Sequence, residues 1–508
     1  MSKLKLKREL GLFDGLMVGL GAGMGIEIFI LLNYAADFEV AGSAVMSALF
    51  LSGLANLLTM LSYSELGAAI PEVGGEYTYT KAAYGGLLAF LAGWFRWVSS
   101  VLGAALAALG FAIYARELFS SFISLNIPLT AIIIVFVFTV LSIRGIEKPR
   151  TIIPVALIIV LGVFILGGLL YGLQPQPILP VNLGKLPGFF EAAVYTVPMF
   201  LGVRAIVASG AQMKNPDKNI PRSLILCALL MIVINLSVAY VAIGLVYPEN
   251  LVGLAGSPEP LLVMAARTVH IPPFPPESSV VIVMVAGVFA ALASLTTAMM
   301  VQSSIMLGLT RDGYLPKFLL SIHHRFKTPY IAILANSLFI IIFAGTGVVV
   351  FLAYAASFGS LLVFILVNLS LMKLRKEKPY LKRPFKAPLY PVTPIAGIAA
   401  ALLLMGIPIA FGEQNAESAL MLAFSLVILA LMTYHLRMVG YRNLRVAIGG
   451  MSLGVGGFMV LLFYLTMTES IPFTISSPLG LVLFLVLIFV CVVSILAGIL
   501  NITAKSGR

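Results

Sequence analysis

The sequence predicts an all-α polytopic membrane protein, and three observations predict it. Of its 508 residues, 60% are hydrophobic and only 10% are charged, with a mean hydropathy of +1.07. A soluble domain carries roughly a quarter charged residues. This chain lacks the polar side chains to cover a globular surface, so its solvent is mostly lipid. Second, the apolar residues fall in runs of about 20, the length that crosses a bilayer as a helix. Third, the basic residues gather between alternate runs.

Residues 1–11 form a tail with four basic residues, Lys3, Lys5, Lys7 and Arg8. No small-residue cleavage pattern follows, so the first run is expected to read on as a span rather than a signal peptide. Fourteen spans are predicted, at about 12–35, 42–64, 85–114, 126–143, 152–173, 190–211, 223–246, 279–308, 329–347, 349–373, 388–411, 416–434, 444–467 and 475–501. The pair at 329–347 and 349–373 has almost no loop and is divided because it is too long for one crossing. With the N-terminus in the cytoplasm, all but five of the 32 Lys and Arg lie inside; the five are Arg96, Arg116, Lys185, Arg204 and Arg267. Both termini, the second a tail at 502–508, are then cytoplasmic, as an even number of spans requires. The net charge of +12 is therefore a topology signal, and nucleic acid is not an expected partner. The basic loop "KLRKEKPYLKRPFKAPLYP" at 373–391 reads as an inside anchor touching anionic headgroups. Cys227 and Cys491 lie in apolar runs and read as packed thiols, without a disulfide framework. No Cys/His cluster points to a metal and no nucleophile stands beside a base, so neither a metal, a cofactor nor enzymatic chemistry is expected. No oligomeric state follows from the sequence.

Two spans are unlike the rest. The first contains "GLGAGMGIEIFI" (19–30), with Gly19, Gly21, Gly23 and Gly25; the sixth, "VYTVPMFLGVRAIVASG" (194–210), contains Pro198, Gly202 and Gly210. Glycine disfavours a helix interior, and proline removes a backbone hydrogen bond and clashes with the preceding turn. Unwound backbone at membrane depth is tolerated where it lines a cavity or is buried in protein. Paired interrupted spans in two halves of a chain point to a transporter site. A second reading stands for the glycines: Gly19 and Gly23 make a G-x-x-x-G, which lets another helix approach. A dinucleotide loop is not expected, because the spacing is not G-x-G-x-x-G and no strand precedes it. Gly25-Ile26-Glu27 and Gly202-Val203-Arg204 correspond, 177 residues apart, each a glycine followed two residues later by a charge of opposite sign.

Several motifs together resemble the amino acid–polyamine–organocation (APC) superfamily of secondary transporters. "MGIEIF" (24–29) is similar to the family's IGxGIF, and "SYSELGAAIPEVGGEYTY" (62–79) to its YxELxxxxPxxGGxYxY. "KNPDKNIPRSL" (214–224), "TRDGYLPKFLLSIHHRFKTP" (310–329) and "RPFKAPLYP" (383–391) match further loop signatures in the expected order. The resemblance implies a LeuT-type fold, a 5+5 inverted repeat (about 12–173 and 190–373) within a transporter core at 12–411, followed by additional spans at 416–501. It implies a substrate carboxylate held by backbone amides of span one and an amino group held by carbonyls at the broken helix ends. Carried over, the substrate-binding residues are Gly23, Met24, Gly25, Ile26 and Glu27, with Met199, Phe200, Leu201, Gly202 and Val203, Phe200 standing at the aromatic gate position. Two departures matter. Glu27 stands where the motif has its second glycine, and Arg204 stands where some members carry an acid.

Glu27 and Arg204 admit two readings: they line the substrate site and set its charge selectivity, or they form a structural ion pair. An unpaired charge at mid-membrane costs on the order of 3 kcal/mol or more. Arg96, in "GWFRWVSS" (93–100), lies about ten residues into span three, roughly 15 Å deep. It reads as a substrate or Glu27 contact, or as the partner of another buried acid. Glu65 reads as a loop-organising carboxylate or an inner gate. For coupling, Ser294, Thr296 and Thr297 offer hydroxyl ligands for Na+, and Glu27 offers a site for H+. The function expected is a secondary transporter for amino acids or related organic amines in the cell membrane. The rival is a transport-inactive relative acting as a sensor or partner subunit; a channel is weaker, because no selectivity-filter-like loop is evident.

Overall fold

The computed structural model describes residues 8–37, 40–72, 74–145, 152–170, 173, 186–246, 252–254, 257, 259–269 and 276–438, with residues 452, 456, 485–486, 488–496 and 499 beyond them. Most of the predicted spans at 444–467 and 475–501 lies outside the described residues. The described elements are helical: α1 Leu12–Gly23, α2 Ile26–Ala35, α3 Val45–Ala69, α4 Glu76–Tyr84, α5 Gly86–Leu118, α6 Ile127–Ile143, α7 Ile152–Leu170, α8 Leu186–Thr196, α9 Arg204–Ala208, α10 Pro216–Leu245, α11 Leu261–Thr268, α12 Pro276–Arg311, α13 Tyr330–Ala344, α14 Val349–Glu377, α15 Val392–Ala410 and α16 Gln414–Met438. Among the described residues eight helices are long and apolar enough to cross a membrane, nine if the bent pair α1/α2 counts as one; three more are apolar but shorter.

Burial sorts them into an inner and an outer set. The apolar window of α5 is 83% buried, and those of α14 and of Leu186–Ala208 are 78% buried, whereas α7 is only 28% buried. The inner helix α5 packs against both α12 and α14, and α10 lies against α1 and α3. The outer helices present Leu166, Ile133 and Phe136 outward, which suits a lipid solvent.

The helix ends follow local chemistry. Pro216 begins α10, where its missing N–H has no intrahelical partner to lose, whereas Pro221 lies inside the helix, one turn further on. Asn126 caps α6 by accepting from the Leu129 amide at 3.1 Å. The loop expected after span two contains α4, which the sequence reading passed over. Tyr77 on α4 donates to Asp312, whose carboxylate also takes Lys81 Nζ at 2.6 Å. Burial and that hydrogen bond push the Tyr77 phenol above its usual range and keep it protonated.

Candidate functional site

The first break follows from the glycines. The Met24 amide closes α1 by bonding to Leu20 O at 2.6 Å. Gly25 is extended, and α2 departs at 44°. The first amide of α2, Ile26, donates to Ser294 Oγ of α12 at 3.2 Å, and that hydroxyl donates onward to Glu27 Oε2 at 3.2 Å. A side chain at Gly25 would collide with Ser294 Oγ and Glu27 Oε2. The Glu27 carboxylate is thus folded back over the N-terminus of its own helix, where a negative charge is stabilised.

The second break is built differently. Val197–Val203 winds as 3-10 helix, with Pro198 near its start. The carbonyls of the preceding turn are taken up by hydroxyls from neighbouring helices: Ser52 donates to Ala193 O at 2.5 Å and Ser357 to Val194 O at 2.9 Å. Asn235 of α10 reaches Met199 O at 3.5 Å.

The breaks meet backbone to backbone. A Cβ on Gly202 would overlap the backbone of Gly23 and Ala22. Further along, Gly19 faces Ile206 and Gly15 faces Met213, so α1 and the chain through α9 run antiparallel from this crossing. On their other side Gly15, Gly19 and Gly23 face Ser223, Cys227 and Met231 of α10. Both readings of the glycines therefore hold at different positions: Gly15, Gly19 and Gly23 form a packing stripe, and Gly25 belongs to the break.

Glu27 and Arg204 do not pair. They sit on opposite sides of the crossing, and among the described residues Glu27 has no cationic partner. Arg204, 1% exposed, sends Nη2 to Ser360 Oγ of α14 at 3.1 Å and Nε toward Leu201 O at 3.4 Å. Its guanidinium lies 5.6 Å from the centre of the Phe364 ring, and Nη1 has no hydrogen-bond partner. Arg96 goes to another acid: its Nε is 3.4 Å from Glu76 Oε1 of α4, which also accepts from Tyr63 Oη at 3.1 Å.

The remaining predicted residues divide. Ile26 packs into α5 at Gly110, and Phe200, fully buried, lies against α3 at Gly53. Met24, Met199 and Val203 are buried; Leu201 and Gly202 are half-buried. Of the three hydroxyls on α12, Ser294 reaches the break, whereas Thr296 bonds back to Leu292 O at 2.7 Å. Thr297 makes no hydrogen bond among the described residues. Glu65 is fully buried and organises the basic loop: it accepts Arg375 Nε at 2.8 Å and the Ala387 amide at 2.7 Å, with Arg383 Nε at 3.3 Å.

The sequence reading missed Glu76, Tyr63 and a row of serines. Ser99 Oγ of α5 lies 2.6 Å from Ser360 Oγ, and Ser100 donates to Ala298 O of α12 at 3.4 Å, one turn from Ser294. The visible signal was Ser99-Ser100, and Ser357 with Ser360, set as small polar residues in otherwise apolar helices.

Two interrupted helices thus cross inside a bundle of apolar helices, with the half-buried Glu27 and the buried Arg204 on either side, as in a polytopic membrane protein. The amino acid permease family matches residues 10–434, and the chain belongs to that family. It is 29% identical over 430 residues to the branched-chain amino acid permease BcaP of Bacillus subtilis (strain 168), covering 79% of this chain and 88% of that one. The methylthioribose transporter of the same organism is 27% identical over 425 residues, covering 79% and 88%. Its serine/threonine exchanger SteT is 26% identical over 421 residues, covering 79% and 91%.

Proposed function

We propose that this permease moves amino acids or related organic amines across the cell membrane by alternating access, with the crossing of its two broken helices as the substrate site. The observation that carries this is the direct contact of Gly23 and Gly202 between Glu27 and Arg204. Interrupted helices at membrane depth mark transporter sites, and a rocking motion that parts the two segments can open the crossing to either side. The architecture read from the sequence goes with it: a LeuT-type 5+5 inverted repeat within 12–411, spans at 416–501, fourteen spans in all, and both termini in the cytoplasm. Gly23 to Glu27 and Met199 to Arg204 form the site, and Arg96, paired with Glu76, acts electrostatically on Arg204. The driving ion is Na+ or H+, drawn to Ser294 or to Glu27, with Thr296 and Thr297 as the further hydroxyls.

Uptake of radiolabelled amino acids into vesicles reconstituted with the full chain tests this. Accumulation that depends on an imposed Na+ or proton gradient is expected. Vesicles no better than protein-free controls, for every amino acid and amine tried, would overturn it. Impermeant thiol reagents applied from outside should miss cysteines placed at 218 and 380; labelling of both would reverse the orientation.

A further inference from the structure

We infer that Glu191 and Glu413 share one proton, and that this proton fastens the first half of the second broken span, α8, to the turn between α15 and α16. The proton site is separate from the helix crossing; only its consequence for uptake rests on the transport reading above. The starts of α8 and α14 and the end of α15 lie at one end of the bundle, the outer end in the orientation proposed, and α8 packs against both of the others. Glu191, half-buried on α8, has the half-buried Glu413 carboxyl as a hydrogen-bonding neighbour. Carboxylates are acceptors only, so that contact requires a proton on one of them. Two carboxyl groups in contact do not both ionise without strong repulsion.

The donors decide which one keeps its charge. Glu413 accepts Asn415 Nδ2 on one oxygen at 3.1 Å and the Ala416 amide on the other at 2.9 Å. Both of its oxygens are supplied, which favours the ionised form. Glu191 takes one phenol, that of Tyr195, so the shared proton resides on Glu191 and is donated to Glu413. Among the described residues no cation acts on Glu191; the groups that do are Tyr195 and Glu413. Of the helices packed against α8, α15 carries no titratable side chain, and the charged residues of α14 lie at its other end. On α2, Glu27 faces Ser294 and Tyr34 faces Arg116. On α3, Tyr63 faces Glu76 and Glu65 faces Arg375. Glu417, one turn into α16, is exposed.

A second observation points to the same place. Tyr354 of α14 is fully buried, and its Oη has no hydrogen-bond partner. Its ring meets that of Tyr195 edge-on with 4.8 Å between centres, and Tyr195, Glu191 and Glu413 are its polar neighbours. A buried hydroxyl left open is rare. This one stands beside a pair of carboxyl groups that needs a further donor once its proton has gone. Loss of the proton sets like charges on α8 and on the α15–α16 turn. The far end of α8 is held, because Ser52 and Ser357 bind Ala193 O and Val194 O just before the break. The end that parts is therefore the one that carries Glu191.

The test records infrared difference spectra of the full chain in lipid nanodiscs between about pH 6 and pH 9, where an ordinary carboxyl no longer titrates. A protonated-carboxyl band should disappear as the pH rises. Glu191→Gln should remove that band. Glu413→Gln should move its titration to lower pH, because the neighbouring negative charge is gone. Tyr354→Phe should move it to higher pH by about half a unit to one unit, because the ionised pair loses a donor. In vesicles, uptake should vary with outside pH over the same range, and Glu191→Gln should flatten that dependence. A band that survives Glu191→Gln, or a titration that Glu413→Gln leaves in place, overturns the shared proton whatever uptake shows. Loss of the band on adding Na+ or Ca2+ at constant pH also overturns it, since the site then holds a metal cation. Uptake that follows outside pH equally in wild type and Glu191→Gln removes the fastening role. The expected band with no uptake at all upholds the proton site and removes the transport reading instead.

Discussion

Two buried charge sites in this protein have the same ingredients and opposite states of completion. At the 373–391 loop, Glu65 holds Arg375 by two contacts, Arg383 by a third and the Ala387 amide by a fourth. Both arginines spend their other donors on carbonyls: Arg375 on Ala387 O, Arg383 on Leu374 O and Lys378 O. At the helix crossing, Glu27 has one serine and Arg204 has one serine, one long carbonyl contact and an open Nη1. A buried charge costs several kcal/mol unless its partners are complete. The saturated cluster therefore holds the loop against α3 and α14, and the unsaturated pair keeps capacity for a ligand. Motif resemblance flags both stretches alike; hydrogen-bond accounting separates them.

The comparison breaks most visibly at Glu65. Glu65→Gln leaves two arginines facing a neutral group, and the loss of stability should be about 3–5 kcal/mol. Apparent melting temperature and monodispersity in detergent report it, and an unchanged melting temperature would remove the structural role given to this cluster.

Next come the glycines. Gly202→Leu drives a side chain into the Gly23 backbone, and Gly25→Leu drives one into Ser294 and Glu27. Each should bring uptake down to the level of protein-free vesicles while the chain still inserts. Wild-type uptake in both would show that neither break lines the path.

The double-mutant cycle of Glu27→Gln and Arg204→Gln sharpens the contrast further. The two residues share no hydrogen-bond partner, so without ligand their effects on stability should add to within about 0.5 kcal/mol. A strong coupling in the ligand-free protein would mean the charges meet directly.

The smallest effect belongs to the surface. Lys373 and Glu377, 3.7 Å apart on the outer turns of α14, are 31% and 54% exposed. Glu377→Gln should change stability by about 0.5 kcal/mol or less, and that little should fade at high salt. A change as large as that for Glu65→Gln would mean burial does not set the scale.

The sequence alone determined what depends on neighbours along the chain. Apolar runs of helical length produced the inner and outer bundle, and they did so because lipid leaves backbone groups no partner outside a helix. Gly25 and the Pro198–Gly202 stretch marked the two breaks, because glycine and proline act on their own turn. The place of Glu65 at the end of span two left it as a loop-organising carboxylate or an inner gate, and only the fold brought the 373–391 loop to it. Tertiary structure alone decided which groups meet. Ser294 caps a helix 268 positions away at Ile26, and Arg375 answers Glu65 across 310. Arg96 and Glu76 are closer in sequence, yet their meeting depends on α4, a short polar helix with no apolar run to announce it. Whether Glu27 faced Arg204 turned on the direction in which two antiparallel segments leave their crossing. That direction is set by packing against α10, α12 and α14, and no local pattern of residues encodes it.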